Sequence, residues 1–169
     1  MSNSLVDIEI QRSNRPIPPE MLKFLEDGRS RFQSVDVFGF VPSNYENLWS
    51  VLDSLPRGRF CEWGSGFGIA TGLAAWLGFD AVGFENQADL VNASRKLLAD
   101  HGIEATIEHA DYHDYKINAN IFYVYCWPGQ IMNTEEHFIE TAPQDARLLI
   151  CYGQNDLRCK MKAIPDEPS

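Results

Sequence analysis

The sequence predicts an α/β fold: a doubly wound, mostly parallel sheet with helices on both faces, reduced to five or six strands. Two observations carry this. Strand-like apolar runs alternate with helically spaced ones along the chain, the pattern of repeated β-α units. At its centre, Arg59-Phe60-Cys61-Glu62-Trp63 reads as a short strand. It runs into the glycine turn Gly64-Ser65-Gly66-Phe67-Gly68, then into the helical spacing of Ile69, Ala70, Leu73, Ala74 and Leu77.

Taken in order, residues 1–37 form an N-terminal arm and helix. The first 17 are polar and read as loosely held. Pro18 and Pro19 open a helix with Met21, Leu22 and Leu25 on one face, and Gly28 weakens it, so that it extends to about residue 32. The core domain spans 38–164. Phe38 to Pro42 is an apolar lead-in, and Ser43 with Glu46 reads as a capping box for a helix carrying Leu48, Val51, Leu52 and Leu55. Pro56-Arg57-Gly58 ends that helix. After the glycine turn, a second strand runs Ala81 to Glu85. A helix over 88–99 follows, with Leu90, Val91, Leu97 and Leu98 inward and a stop at His101-Gly102. The third strand is Ala105–Asp111 and the fourth Asn120–Tyr125. A helix starts near Asn133-Thr134 with Glu135 and Glu136 in its first turn, where carboxylates suit the dipole. The fifth strand is Ala146–Tyr152, and 157–164 reads as one more. The tail, 165–169, is polar and frayed. No repeat or second domain is visible.

Composition narrows the partners. The 169 residues suffice for one sizeable core. A net charge of −10 disfavours a nucleic-acid backbone and favours basic acceptors, or simply solubility. Cys61, Cys126, Cys151 and Cys159 have no C-x-x-C spacing and read as buried reduced thiols, which implies a reducing, cytoplasmic setting. No signal pattern and no run of 18 apolar residues point to a membrane. An uncovered sheet edge makes a homodimer an expectation.

The glycine turn carries the chemistry. Gly64, Gly66 and Gly68 give G-x-G-x-G, and Ile69 stands where the dinucleotide fingerprint needs glycine. Glu62 closes the strand. It would repel a pyrophosphate but suits a ligand with an ammonium group. Glu85 closes the second strand, where a carboxylate accepts from both hydroxyls of a ribose, and Asp111 closes the third.

Glu62-Trp63-Gly64-Ser65-Gly66-Phe67-Gly68 resembles motif I of the class I, Rossmann-like methyltransferases. The resemblance implies S-adenosylmethionine (SAM) as cofactor. Glu62, Gly64, Ser65, Gly66 and Gly68 would hold its methionine part, Glu85 the ribose, and Asp111 and Tyr112 the adenine, with Asn86 also in the cofactor site. It also implies that the loop Phe40–Ser43 covers the methionine end. The acceptor would sit beside the end of the fourth strand, where Tyr125 and Trp127 are the candidate catalytic residues. Tyr123, Tyr125 and Trp127 could line an amine channel, although Tyr123 fits core packing better. The Asn/Asp-Pro-Pro-aromatic motif of base N-methyltransferases is absent at Tyr125-Cys126-Trp127-Pro128, and Cys126 lacks the preceding proline of cytosine C5 enzymes. Residues 38–152 are also similar to the compact non-SET, seven-β-strand protein lysine methyltransferases, through Phe40-Val41-Pro42-Ser43, Phe84-Glu85 and the fourth strand. The acceptor is therefore expected to be a protein lysine or a small molecule. Two alternatives stand beside this: a non-catalytic SAM-binding regulatory protein, and an NAD-dependent oxidoreductase, which Ile69 disfavours. His109, Asp111, His113 and Asp114 are the one cluster of metal-ligand types, and they read as loop residues, with no metal.

Overall fold

The structure, a computed structural model, describes residues 4–35 and 42–165. Seven strands, β1 (Leu5–Ile8), β2 (Arg59–Trp63), β3 (Asp80–Glu85), β4 (Thr106–His109), β5 (Ile121–Tyr125), β6 (Arg147–Cys151) and β7 (Leu157–Lys162), form one sheet in the order β1-β7-β6-β5-β2-β3-β4. The five from β6 to the edge strand β4 are parallel; β7 is antiparallel to both β6 and β1. The predicted doubly wound class holds, and the count of five or six strands is corrected to seven among the described residues.

The added strand is β1, which corrects the loosely held arm. Its four residues pair with β7 from Leu5 opposite Lys162 to Ile8 opposite Cys159. Two reversals across β7 leave β1 parallel to β6. The chain beyond β1 stays attached. Ser13 N donates to Ser50 O at 2.9 Å, Ser54 Oγ donates to Gln11 O at 2.9 Å, and Arg15 grips the Asp53 carboxylate.

The helices are α1 (Pro19–Ser30), α2 (Tyr45–Ser54), α3 (Ile69–Trp76), α4 (Ala88–Asp100) and α5 (Ile131–Thr141). The core has two halves because strand side chains alternate between faces. Phe60 and Tyr123 pack with α1 to α4, whereas Cys61, Trp63, Phe122 and Val124 pack with Phe138 of α5. Burial on both faces explains the unbroken apolar run of β5.

Four local expectations are corrected. In α1 the buried face is Met21, Phe24, Leu25 and Gly28, and Leu22 is exposed. A Cβ on Gly28 would lie 2.7 Å from Ile69 Cδ1, so the glycine that weakens α1 also lets it lie against α3. The cap of α2 is Asn44, whose Oδ1 accepts from Asn47 N at 3.1 Å. Ser43 instead accepts from the Tyr123 hydroxyl at 2.6 Å, and Glu46 pairs with Arg29. Finally, α5 begins at Ile131, after a 3₁₀ turn at Pro128–Gln130, so Glu135 and Glu136 lie beyond its first turn. Residues 38–41 of the lead-in and 40–41 of the covering loop fall in 36–41, outside the described residues. All four cysteines are free and buried.

Candidate functional site

Chain order reverses between β2 and β5, and the crevice beyond the strand ends there is where such sheets bind ligands. A cavity of about 460 Å³ occupies it. Gly64 and Gly66 adopt φ of 72° and 54°, which other residues resist, and so fold the chain back sharply after β2. The turn is pinned to β3, since the amides of Gly64 and Ser65 both donate to Phe84 O at 2.9 Å. A Cβ on Gly83 would sit 2.7 Å from both Ser65 Cβ and Thr71 Oγ1; the bare backbone there is the seat of the turn.

Two carboxylates at the strand ends tie the crevice together. Glu85 accepts from Gly66 N at 3.2 Å through one oxygen and from Gln87 N at 3.1 Å through the other. Glu62 Oε1 accepts from Thr71 N at 3.1 Å and Thr71 Oγ1 at 2.7 Å, capping the first turn of α3. Burial pushes Glu62 up to about 8, against the pull of Thr71, and the Glu85 charge adds to the rise.

Asp111 is more open. Its Oδ1 accepts from His113 N at 3.0 Å and faces His113 Nδ1 at 2.8 Å, and the His113 backbone bond holds this carboxyl below its usual range. The Tyr112 ring lies flat on Trp63, with centroids 4.9 Å apart and planes 5° apart, and against His113 at 4.1 Å.

Ten of the eleven predicted site residues line this one cavity: Glu62, Gly64, Ser65, Gly66, Glu85, Asn86, Asp111, Tyr112, Tyr125 and Trp127. Gly68 does not. At φ 75° it caps α3, and a Cβ there would lie 2.9 Å from Ser94 Cβ, so its place in the motif is helix packing. Tyr123 is buried and stacks on Phe60, as core packing requires. Cys126 lines the cavity, but burial raises its thiol, which points at Thr134 Oγ1 at 3.1 Å. Among the described residues no group of three His, Cys, Asp or Glu could hold a metal ion, and no helix is long and apolar enough to cross a membrane.

Sequence reasoning missed Tyr45, Gln87, His113, Gln130, Asn133 and Thr134 in the lining, and Thr71 behind Glu62. Tyr45 had a signal, since the first residue of α2 must lie near the end of β2 if α2 precedes that strand. The amides of Gln130 and Asn133 had none.

The lining holds three carboxylates, Glu62, Glu85 and Asp111, and, among the described residues, no lysine or arginine. Ser65 Oγ is buried at its wall and, among the described residues, has no hydrogen-bond partner. Such a site attracts positive charge and repels a pyrophosphate.

No protein-family model and no curated protein matches the sequence. Solved structures do match in fold. An S-adenosylhomocysteine-bound methyltransferase of Podospora anserina, PaMTH1, is 14% identical with a TM-score of 0.62, over 80% of this chain and 63% of its own. The chain thus spans less than two thirds of that relative. An RNA methyltransferase of Salinibacter ruber, in complex with S-adenosyl-L-homocysteine, is 18% identical with a TM-score of 0.55, over 90% of this chain and 98% of its own. A Geobacter sulfurreducens methyltransferase is 17% identical with a TM-score of 0.56, over 80% and 74%. The chain has the fold of the class I, Rossmann-like methyltransferases.

Proposed function

We propose that the chain is a SAM-dependent methyltransferase. One observation carries the reading: in this fold, at the strand ends, a cavity presents three carboxylates and, among its described lining residues, no lysine or arginine. SAM carries a positive sulfur, an ammonium and two ribose hydroxyls, and the donor set fits each. Glu62 faces the ammonium, and Ser65, in the turn beside it, lines the methionine end. Each Glu85 oxygen keeps a lone pair for a ribose hydroxyl beyond its backbone bond. Asp111 accepts from the adenine amine, with Asn86 and Tyr112 beside it. When bound, the cofactor supplies a methyl group on positively charged sulfur. The chain's part is alignment: it holds the methyl donor against an acceptor approaching past Tyr125 and Trp127. The relatives whose solved structures match include bound S-adenosylhomocysteine, which supports the cofactor. The same carboxylates count against NAD.

Calorimetric titration of the full chain with SAM tests the reading. Wild type is expected to bind in the micromolar range. Glu85→Ala should weaken binding roughly 10- to 100-fold, the value of one or two charge-assisted hydrogen bonds. Gly66→Val should abolish it. A wild type free of copurified nucleoside that does not bind would overturn the assignment. Binding without methyl turnover on any acceptor would leave the non-catalytic reading.

A further inference from the structure

Among the described lining residues that the cofactor reading leaves over are Ser43, Tyr45, Tyr125, Trp127, Gln130 and Asn133, from the start of α2, the end of β5 and the approach to and start of α5, none of them an acid, a lysine or an arginine. Trp127 is 47% exposed and stands at the opening; Tyr125 is half-buried behind it. We infer, resting on the methyltransferase reading, that this part of the cavity takes a small planar molecule bearing a neutral nitrogen nucleophile, such as a heteroaromatic ring nitrogen, and releases it as its N-methyl cation.

The argument is electrostatic. When a neutral nitrogen is methylated, its lone pair forms the new N–C bond. The S–C bond breaks with its electron pair staying on sulfur. One unit of positive charge thereby passes from sulfur to the acceptor, and a ring nitrogen has no proton to lose. A wall that speeds this step must stabilise positive charge as it develops on the acceptor side. Aromatic rings do so through their negative faces, and Tyr45, Tyr125 and Trp127 supply such rings to the lining. Transfer to a phenolate oxygen consumes charge instead and is served by a lysine or arginine beside the oxygen, which the described lining does not provide. The net charge of −10, with no lysine or arginine among the described lining residues, argues against RNA.

The test uses the full chain saturated with S-adenosylhomocysteine, whose binding is measured first. Quinoline and N-methylquinolinium are then titrated by calorimetry. The cation should bind at least tenfold tighter than the neutral ring, and Trp127→Ala should remove most of that difference while leaving the S-adenosylhomocysteine affinity within twofold. Equal or weaker binding of the cation would overturn the inference. In parallel, turnover with labelled SAM is compared on quinoline, catechol, a lysine-rich peptide and RNA. Methyl transfer to catechol, peptide or RNA, with none to the ring nitrogen, would overturn it also. Failure to bind S-adenosylhomocysteine would instead overturn the cofactor reading beneath it.

Discussion

At the scale of single residues, Glu62 caps α3 through Thr71 and, in the proposed function, faces the cofactor ammonium. Its folded value of about 8 lies above its ordinary 4.5, so the empty fold prefers the protonated carboxyl. That preference stabilises the protein fully below pH 4.5 and is lost as pH rises through 8. The melting temperature of the ligand-free protein is therefore expected to fall between pH 5 and 9, and Glu62→Gln, which still offers Thr71 an acceptor, should flatten the fall. Because a ligand ammonium requires the ionised form, SAM affinity in wild type should rise with pH up to about 8. Proton release during titration in buffers of different ionisation heat checks this, and no release would contradict the role given to Glu62. Asp53 shows the opposite sign. Arg15 holds its carboxyl far below the usual range, with Arg57 assisting. That contribution is present above pH 3.8 and is lost as pH falls further. Both arginines are partly solvated, so Asp53→Asn should cost only about 1 kcal/mol in urea unfolding at pH 7.

At the scale of elements, the junction of β2, β3 and α3 decides whether the crevice exists. Gly83→Ala would drive a methyl group into Ser65 and the Thr71 hydroxyl, where the nearest atoms cannot all swing away. The expected cost is about 1–3 kcal/mol of stability, as for other overpacked sites, together with weaker SAM binding because the turn moves. Denaturant melts and titration of the same sample measure both. This junction was the most legible part of the sequence, since Glu62, the glycines and Ile69 to Leu77 each follow a local rule of spacing. Element ends were less legible where side chains had distant alternatives. Ser43 left its capping role for Tyr123, from a strand 80 positions on, and Glu135 left its helix dipole for Lys160 and Tyr152. Gly68 satisfied the ligand motif by spacing, yet serves α4 through Ser94. Such choices depend on which elements meet, which periodicity does not encode.

At the scale of the whole molecule, the sheet is finished by its two most distant strands in sequence. β1 was illegible because Leu5-Val6-Asp7-Ile8 is short, stands among polar residues, and has no hairpin turn to announce a partner. Removing residues 1–9 should uncover the edge of β7 and lower stability by roughly 2–4 kcal/mol, for four paired residues at about 0.5–1 kcal/mol net each. The truncated protein should also self-associate through the bared edge, which light scattering would detect. The cavity lies on the other side of β6 from this edge, so SAM affinity per folded molecule should stay within a few-fold. The pairing of β1 with β7 also has a consequence in time. β1 is synthesised well before β7, yet it has no strand to pair with until β7 has emerged. The loop it closes is among the longest the chain offers, so this ladder should be a late event in folding and an early one in opening. Amide hydrogen exchange would then show Leu5–Ile8 and the facing amides of Leu157–Lys162 losing protection together, as one cooperative unit drawn from both ends of the chain, while β2, β3 and β5 stay closed until the whole molecule unfolds.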